Sequence, residues 1–163
     1  MAINKEKKEQ IMGGLKDSLK DAQSTVFVNF HGLSVGDTTD LRRKLTSEGV
    51  GYTVAKKTLI KRVLDDIAPS GDQPALVGEL ALAYGEDLLV PAREVYEFQK
   101  LHKDKVSILG GIFEGGYKDQ AEMIEIASIP APQVLRAQFV NLINSPIQGF
   151  VMALNAIAEK KEA

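Results

Sequence analysis

Thr25-Val26-Phe27-Val28-Asn29-Phe30-His31-Gly32-Leu33-Ser34 takes the chain from a strand to the start of a helix within ten residues. The first six have high β-propensity, Gly32 permits a tight turn, and Ser34 is a good N-cap for a helix beginning at the next residue. Downstream, Leu41 and Leu45 mark that helix, closed by Gly49. Tyr52-Thr53-Val54 is a second strand, which leads directly into a helix over Lys57–Leu64. Upstream, residues 4–22 read as an amphipathic helix with Ile11, Leu15 and Leu19 at four-residue steps, weakened at Gly13-Gly14.

The same alternation continues to the C-terminal side. Pro69 to Pro74 is a loop, and Leu80–Tyr84 a third strand. A helix over about 88–102 carries Leu89, Ala92, Val95, Tyr96 and Leu101. Val106–Phe113 is a fourth strand, Gly115-Gly116 a turn, and Ala121–Ala127 a short helix. Strands alternating with helices predict an α+β fold, a single mixed sheet with helices packed on it. Pro130 and Pro132 then mark a boundary, dividing a globular region (1–130) from a final extended helix (131–163).

Composition narrows the function. The 163 residues are 44% hydrophobic and 26% charged, ordinary for a soluble globular protein, and contain no Trp. Without cysteine there are no disulfides, thiolate metal sites or thiol nucleophiles, which fits a reducing compartment. The basic N-terminus lacks an apolar h-region, and no window reaches the roughly 18 apolar residues of a membrane span, so a cytoplasmic protein is expected. Residues 1–68 hold 12 Lys/Arg against 9 Asp/Glu, and residues 69–163 hold 8 against 13. The modestly positive first part is compatible with nucleic-acid contact without requiring it.

The tail is the most unusual stretch. From Ile126 to Ala158 the only ionisable side chain is Arg136. Phe139-Val140-Asn141-Leu142-Ile143-Asn144 is echoed eleven residues later by Phe150-Val151-Met152-Ala153-Leu154-Asn155. Eleven residues are about three helical turns, so both copies present one face. Leu135, Phe139, Leu142, Ile143, Phe150, Leu154 and Ile157 share that face, widened by Val140, Ile147 and Val151. Amides occupy the other half, at Gln138, Asn141, Asn144, Gln148 and Asn155; Arg136 and Met152 are out of place in this scheme. A duplicated apolar face predicts a docking rail, against the plainer reading of a helix packed on its own domain. Pro146 should kink the rod between the copies, or restart it with Ser145 as N-cap.

Lys56-Lys57-Thr58 stands where the second strand meets its helix, with Lys61-Arg62 one turn on. Helix N-terminal amides favour phosphate, and lysines add charge without base specificity. A solvated cationic surface with a glycine turn at Gly32 fits the same pattern. Enzyme signals are weak: the paired glycines lack a P-loop Lys-Ser/Thr, and Gly49-Val50-Gly51 follows a helix where a dinucleotide fingerprint needs a strand. His31 and His102 have no metal-ligand spacing, so neither a metal nor a cofactor is expected.

Gly32-Leu33-Ser34-Val35, Leu41-Arg42, Gly49-Val50, Lys56-x-Thr58-Leu59, Leu109-Gly110-Gly111-x-Phe113-Glu114-Gly115 and the ending Leu154–Lys161 together resemble the bacterial ribosomal protein L-ten family, in order and across essentially the whole chain. The resemblance implies a ferredoxin-like globular domain on large-subunit ribosomal RNA, beside ribosomal protein L-eleven. It also implies a C-terminal helix that holds dimers of the acidic stalk proteins L-seven/L-twelve, which recruit translational GTPases. Carried onto this sequence, the RNA-facing residues are His31, Gly32, Lys56 and Thr58, with Lys57, Lys61, Arg42, Arg43, Lys5, Lys7 and Lys8 as further candidates. The family usually has Arg or Lys in place of His31 and Asn in place of Lys57, so charge is redistributed here. Two docking units, around 136–146 and 147–158, imply two dimers. The rival readings are a ribosome-assembly factor without a stalk and a small-molecule enzyme with a self-dimerising tail.

Overall fold

The computed structural model describes residues 5–67, 69–71, 73–102 and 105–162. In chain order these form α1 (Lys5–Lys20), β1 (Ser24–Phe30), α2 (Val35–Ser47), β2 (Gly51–Val54), α3 (Lys57–Ile67), β3 (Leu80–Gly85), α4 (Val90–Leu101), β4 (Val106–Phe113), β5 (Gly116–Asp119), α5 (Gln120–Ala127) and α6 (Pro132–Glu162). The chain divides into two compact units, residues 1–129 and 130–163.

In the first unit the five strands form one sheet in the order β2-β3-β1-β4-β5. The α+β class, the packed helices and the long C-terminal helix agree with the sequence reading. The sheet, expected to be mixed, is antiparallel at every strand pairing. The reason is topological. β1 and β2 run the same way, but β3 lies between them; β3 and β4 likewise flank β1. Each strand–helix–strand crossover is therefore split by a strand of opposite direction, the ferredoxin-like arrangement. Parallel pairing among the described residues is confined to an isolated bridge between Ser70 and Gly116.

β1 is buried over Ser24–Val28 because helices cover both faces of the sheet. Val26 and Val28 point to a layer with Leu41 and Leu45 of α2, Ala92, Val95 and Phe98 of α4, and Met123 of α5. Phe27 points the other way, to Leu15 and Leu19 of α1 and Ile60, Val63 and Leu64 of α3. Period-two alternation in a central strand thus feeds two cores. In α4 the core position is taken by Phe98, whereas Leu101, grouped with the apolar face in sequence, is 76% exposed.

β5 has no counterpart in the sequence reading, which makes Gly115-Gly116 only a turn. Glu114 (φ 51°) and Gly115 (φ 76°) form a two-residue loop with both φ positive, the hairpin connection whose twist matches that of the strands. Gly116-Tyr117-Lys118-Asp119 then pairs back on Gly110–Phe113. Four residues with polar Lys118 and Asp119 carry little strand signal; the hairpin, not propensity, makes them a strand.

In the second unit α6 runs as one 31-residue helix with Pro146 inside it. The restart at Ser145 does not occur. Proline removes one backbone donor and leaves the Leu142 carbonyl without its usual partner, but the flanking turns carry the helix through.

Candidate nucleic-acid interface and docking helix

The sheet register gathers several loops at one end of the globular unit. Phe30 stands opposite Val106, Asn29 opposite Leu80, and Val54 opposite Ala81. The exits of β1 and β2 therefore share this end with the entries to β3 and β4. Between them lies a cleft of about 450 Å³ lined by Phe30, Val54, Ala55, Lys56, Lys57, Gly78, Glu79 and Leu80.

His31 leaves β1 exposed, its backbone N–H donating to the Lys105 carbonyl at 2.8 Å. Gly32 comes next at φ 62°, a left-handed conformation that turns the chain toward α2. Ser34 caps α2 as expected, its Oγ accepting from the Asp37 N–H at 3.1 Å. The Ser34 hydrogen bond holds the Asp37 carboxyl below its ordinary pKa, with lesser help from the charges of Lys105 and His102.

At the exit of β2 the Lys56 carbonyl accepts from Leu59 N–H (2.9 Å) and Ile60 N–H (3.1 Å), opening α3. The Lys56 side chain is exposed. The first turn of α3 contains no acidic residue, so the positive end of its dipole stays available to an anion. Lys57 is half-buried, its Nζ donating to the Leu76 carbonyl at 3.4 Å, so part of its charge serves the segment that leads into β3. Thr58 and, one turn on, Lys61 are exposed.

The structure brings His31 and Gly32 to the same sheet end as Lys56, Lys57 and Thr58. It sets Arg42 and Arg43 apart from Lys61, because α2 and α3 cover opposite faces of the sheet. Arg42 lies over the Tyr52 ring at 5.8 Å, and Arg43 pairs with Asp40 at 3.8 Å. Lys7 and Lys8 are exposed in α1, while the Lys5 side chain lies outside the described residues. Lys105 is a cation at this end that the sequence reading misses. It precedes β4 by one residue, and only the register reveals its place beside His31.

On α6 every side chain from Gln133 to Ala158 is exposed. Leu135, Phe139, Val140, Leu142, Ile143, Ile147, Phe150, Val151, Leu154 and Ile157 are 42–71% exposed. A contiguous apolar stripe of this extent is uncommon on the surface of a folded protein. No metal-binding group of three or more His, Asp or Glu occurs among the described residues, and no described helix is long and apolar enough to cross a membrane.

The model of the family Ribosomal protein L10 matches residues 3–100, and that of the Ribosomal protein uL10 C-terminal region matches residues 129–163. Large ribosomal subunit protein uL10 of Shouchella clausii (strain KSM-K16) is 34% identical over 158 residues, covering 96% of this chain and 95% of the relative. The protein of the same name from Clostridium tetani (strain Massachusetts / E88) is 34% identical over 161 residues, covering 98% and 93%. That from Burkholderia mallei (strain NCTC 10229) is 33% identical over 165 residues, covering 100% and 98%. The chain belongs to the ribosomal protein uL10 family.

Proposed function

We propose that this chain is a two-ended scaffold of the ribosomal stalk, with an RNA anchor in the globular unit and a docking rail in α6. Membership of the family makes it a structural constituent of the large ribosomal subunit, at work with the ribosome in the cytoplasm, and not an enzyme. In the proposed reading the first domain grips large-subunit ribosomal RNA with the sheet end that carries His31, Gly32, Lys56, Lys57 and Thr58. Lys61, Arg42, Arg43 and the α1 lysines add diffuse phosphate attraction. Ribosomal protein L-eleven is its neighbour there. The second domain seats dimers of L-seven/L-twelve, which bring translational GTPases to the ribosome.

The observation that carries this reading is the exposed apolar face of α6, repeated at an interval of eleven residues. A face of that width exposed in water is costly and is stabilised by a partner that covers it. Two copies imply two dimers. Native mass spectrometry of the chain co-expressed with its stalk proteins should give one scaffold with four stalk chains. A complex with six would overturn the count, and an unliganded scaffold would overturn the rail.

A further inference from the structure

The two docking units differ in charge at one position on the apolar face. Arg136 starts the series 136, 140, 143, 147, 150, 154, whose other members are Val140, Ile143, Ile147, Phe150 and Leu154. At about 100° per residue this series follows one line along the helix, and Leu154, five turns further on, has the same azimuth as Arg136. The guanidinium therefore belongs to the apolar face and not to the amide face. Eleven residues on, the equivalent position is Ile147. Arg136 is exposed and forms no ion pair with a described residue; no acidic side chain lies between Glu125 and Glu159 to supply one.

A partner that covers this face must also cover Arg136. Burying a guanidinium without a counter-charge costs several times what an apolar contact gains. Its position within the face, with apolar neighbours along the line, limits escape to the sides. We infer that Arg136 is a specificity determinant of the first docking unit, requiring a carboxylate at the matching point of an otherwise apolar helical partner, while the second unit, with Ile147, requires none. The inference rests on the docking function proposed for α6. It makes two units of similar shape chemically unequal. A partner displaced by eleven residues would keep most of its apolar contacts, meeting Ala153 in place of Leu142, and lose its ion pair, so Arg136 also fixes register, as a single polar residue does in a coiled coil.

The test uses the full chain and the acidic stalk dimer, titrated at low and high salt, with stoichiometry read by native mass spectrometry. For the unaltered chain, one of two binding steps should weaken with salt and the other should not. Arg136→Glu should weaken the first step about thirtyfold or more, leaving a complex with one dimer at limiting concentration. Arg136→Met should remove the salt dependence of that step, and Ile147→Arg should confer salt dependence on the second. Both positions are exposed on α6, and circular dichroism checks that the helix persists in each variant. Two salt-insensitive steps in the unaltered chain, or unchanged binding by Arg136→Glu, would overturn the inference and leave the rail standing. No binding by the unaltered chain would overturn the rail itself.

Discussion

Lys44 joins the two crossover helices. Its Nζ lies 2.8 Å from Glu97 Oε2 and 3.0 Å from Glu94 Oε2, so one ammonium of α2 serves two carboxylates of α4. Glu94 is buried, with Arg93 Nε at 3.5 Å from its other oxygen. The hydrogen bond between Lys44 and Glu97 lowers the carboxyl pKa and raises that of the ammonium. Stability from Glu97 is therefore complete above its unfolded value of 4.5 and is lost as pH falls through its lower folded value. Stability from Lys44 is complete below 10.5 and is lost as pH rises through its higher folded value. Both side chains are substantially exposed, so this pair contributes less than about 1 kcal/mol; the greater effect of losing Lys44 is on buried Glu94. Lys44→Ala should cost about 1–3 kcal/mol at pH 7. Urea denaturation at pH 7 and pH 3.5 (roughly one unit below an ordinary Glu carboxyl) should show the deficit shrinking in acid by the part that Lys44–Glu97 contributes; an equal or larger deficit there would remove that pair as a contributor. Nothing in sequence marks Glu94 as buried, because its cation lies fifty residues earlier and only the fold brings them together.

Glycines have opposite meanings in different elements. Gly13 and Gly14 sit within α1 with open space where a Cβ would stand and no positive φ. Packing does not require them, so they only weaken the helix, in agreement with the sequence reading. Gly13→Ala and Gly14→Ala should each stabilise by about 0.5–1 kcal/mol, raising the thermal midpoint. At Gly111 of β4 a Cβ would stand 2.5 Å from the Thr25 carbonyl and 2.9 Å from Met123 Cε, so Gly111→Ala should lower the midpoint. If the α1 substitutions lower it too, that helix makes a contact at its glycines that an added methyl disrupts. The sequence makes α1 legible through its apolar period, whereas β5 depends on a hairpin whose pairing is a tertiary event. Pro146 likewise reads as a break, yet a single lost donor does not stop a helix of this length.

At the scale of the whole molecule, the chain divides between residues 129 and 130, and a core of α1–α5 around the sheet is complete without α6. A chain ending at Ile129 should therefore fold. In the proposed reading it binds a stalk-base RNA fragment as the full chain does, with affinity falling linearly in log–log with salt, and captures no stalk dimers. Retained dimers would move the docking site into the globular unit, and lost RNA binding would move the anchor into α6. By itself the sequence determined the alternation of strands and helices, the cap at Ser34 and the apolar repeat of α6, because these depend on local propensity and period. Tertiary structure decided that β3 lies between β1 and β2, that β5 completes the sheet, and that Lys105 joins His31 and Lys56 at one end. Those outcomes depend on strand order and register, which residues distant in the chain settle together as they bury both faces of β1.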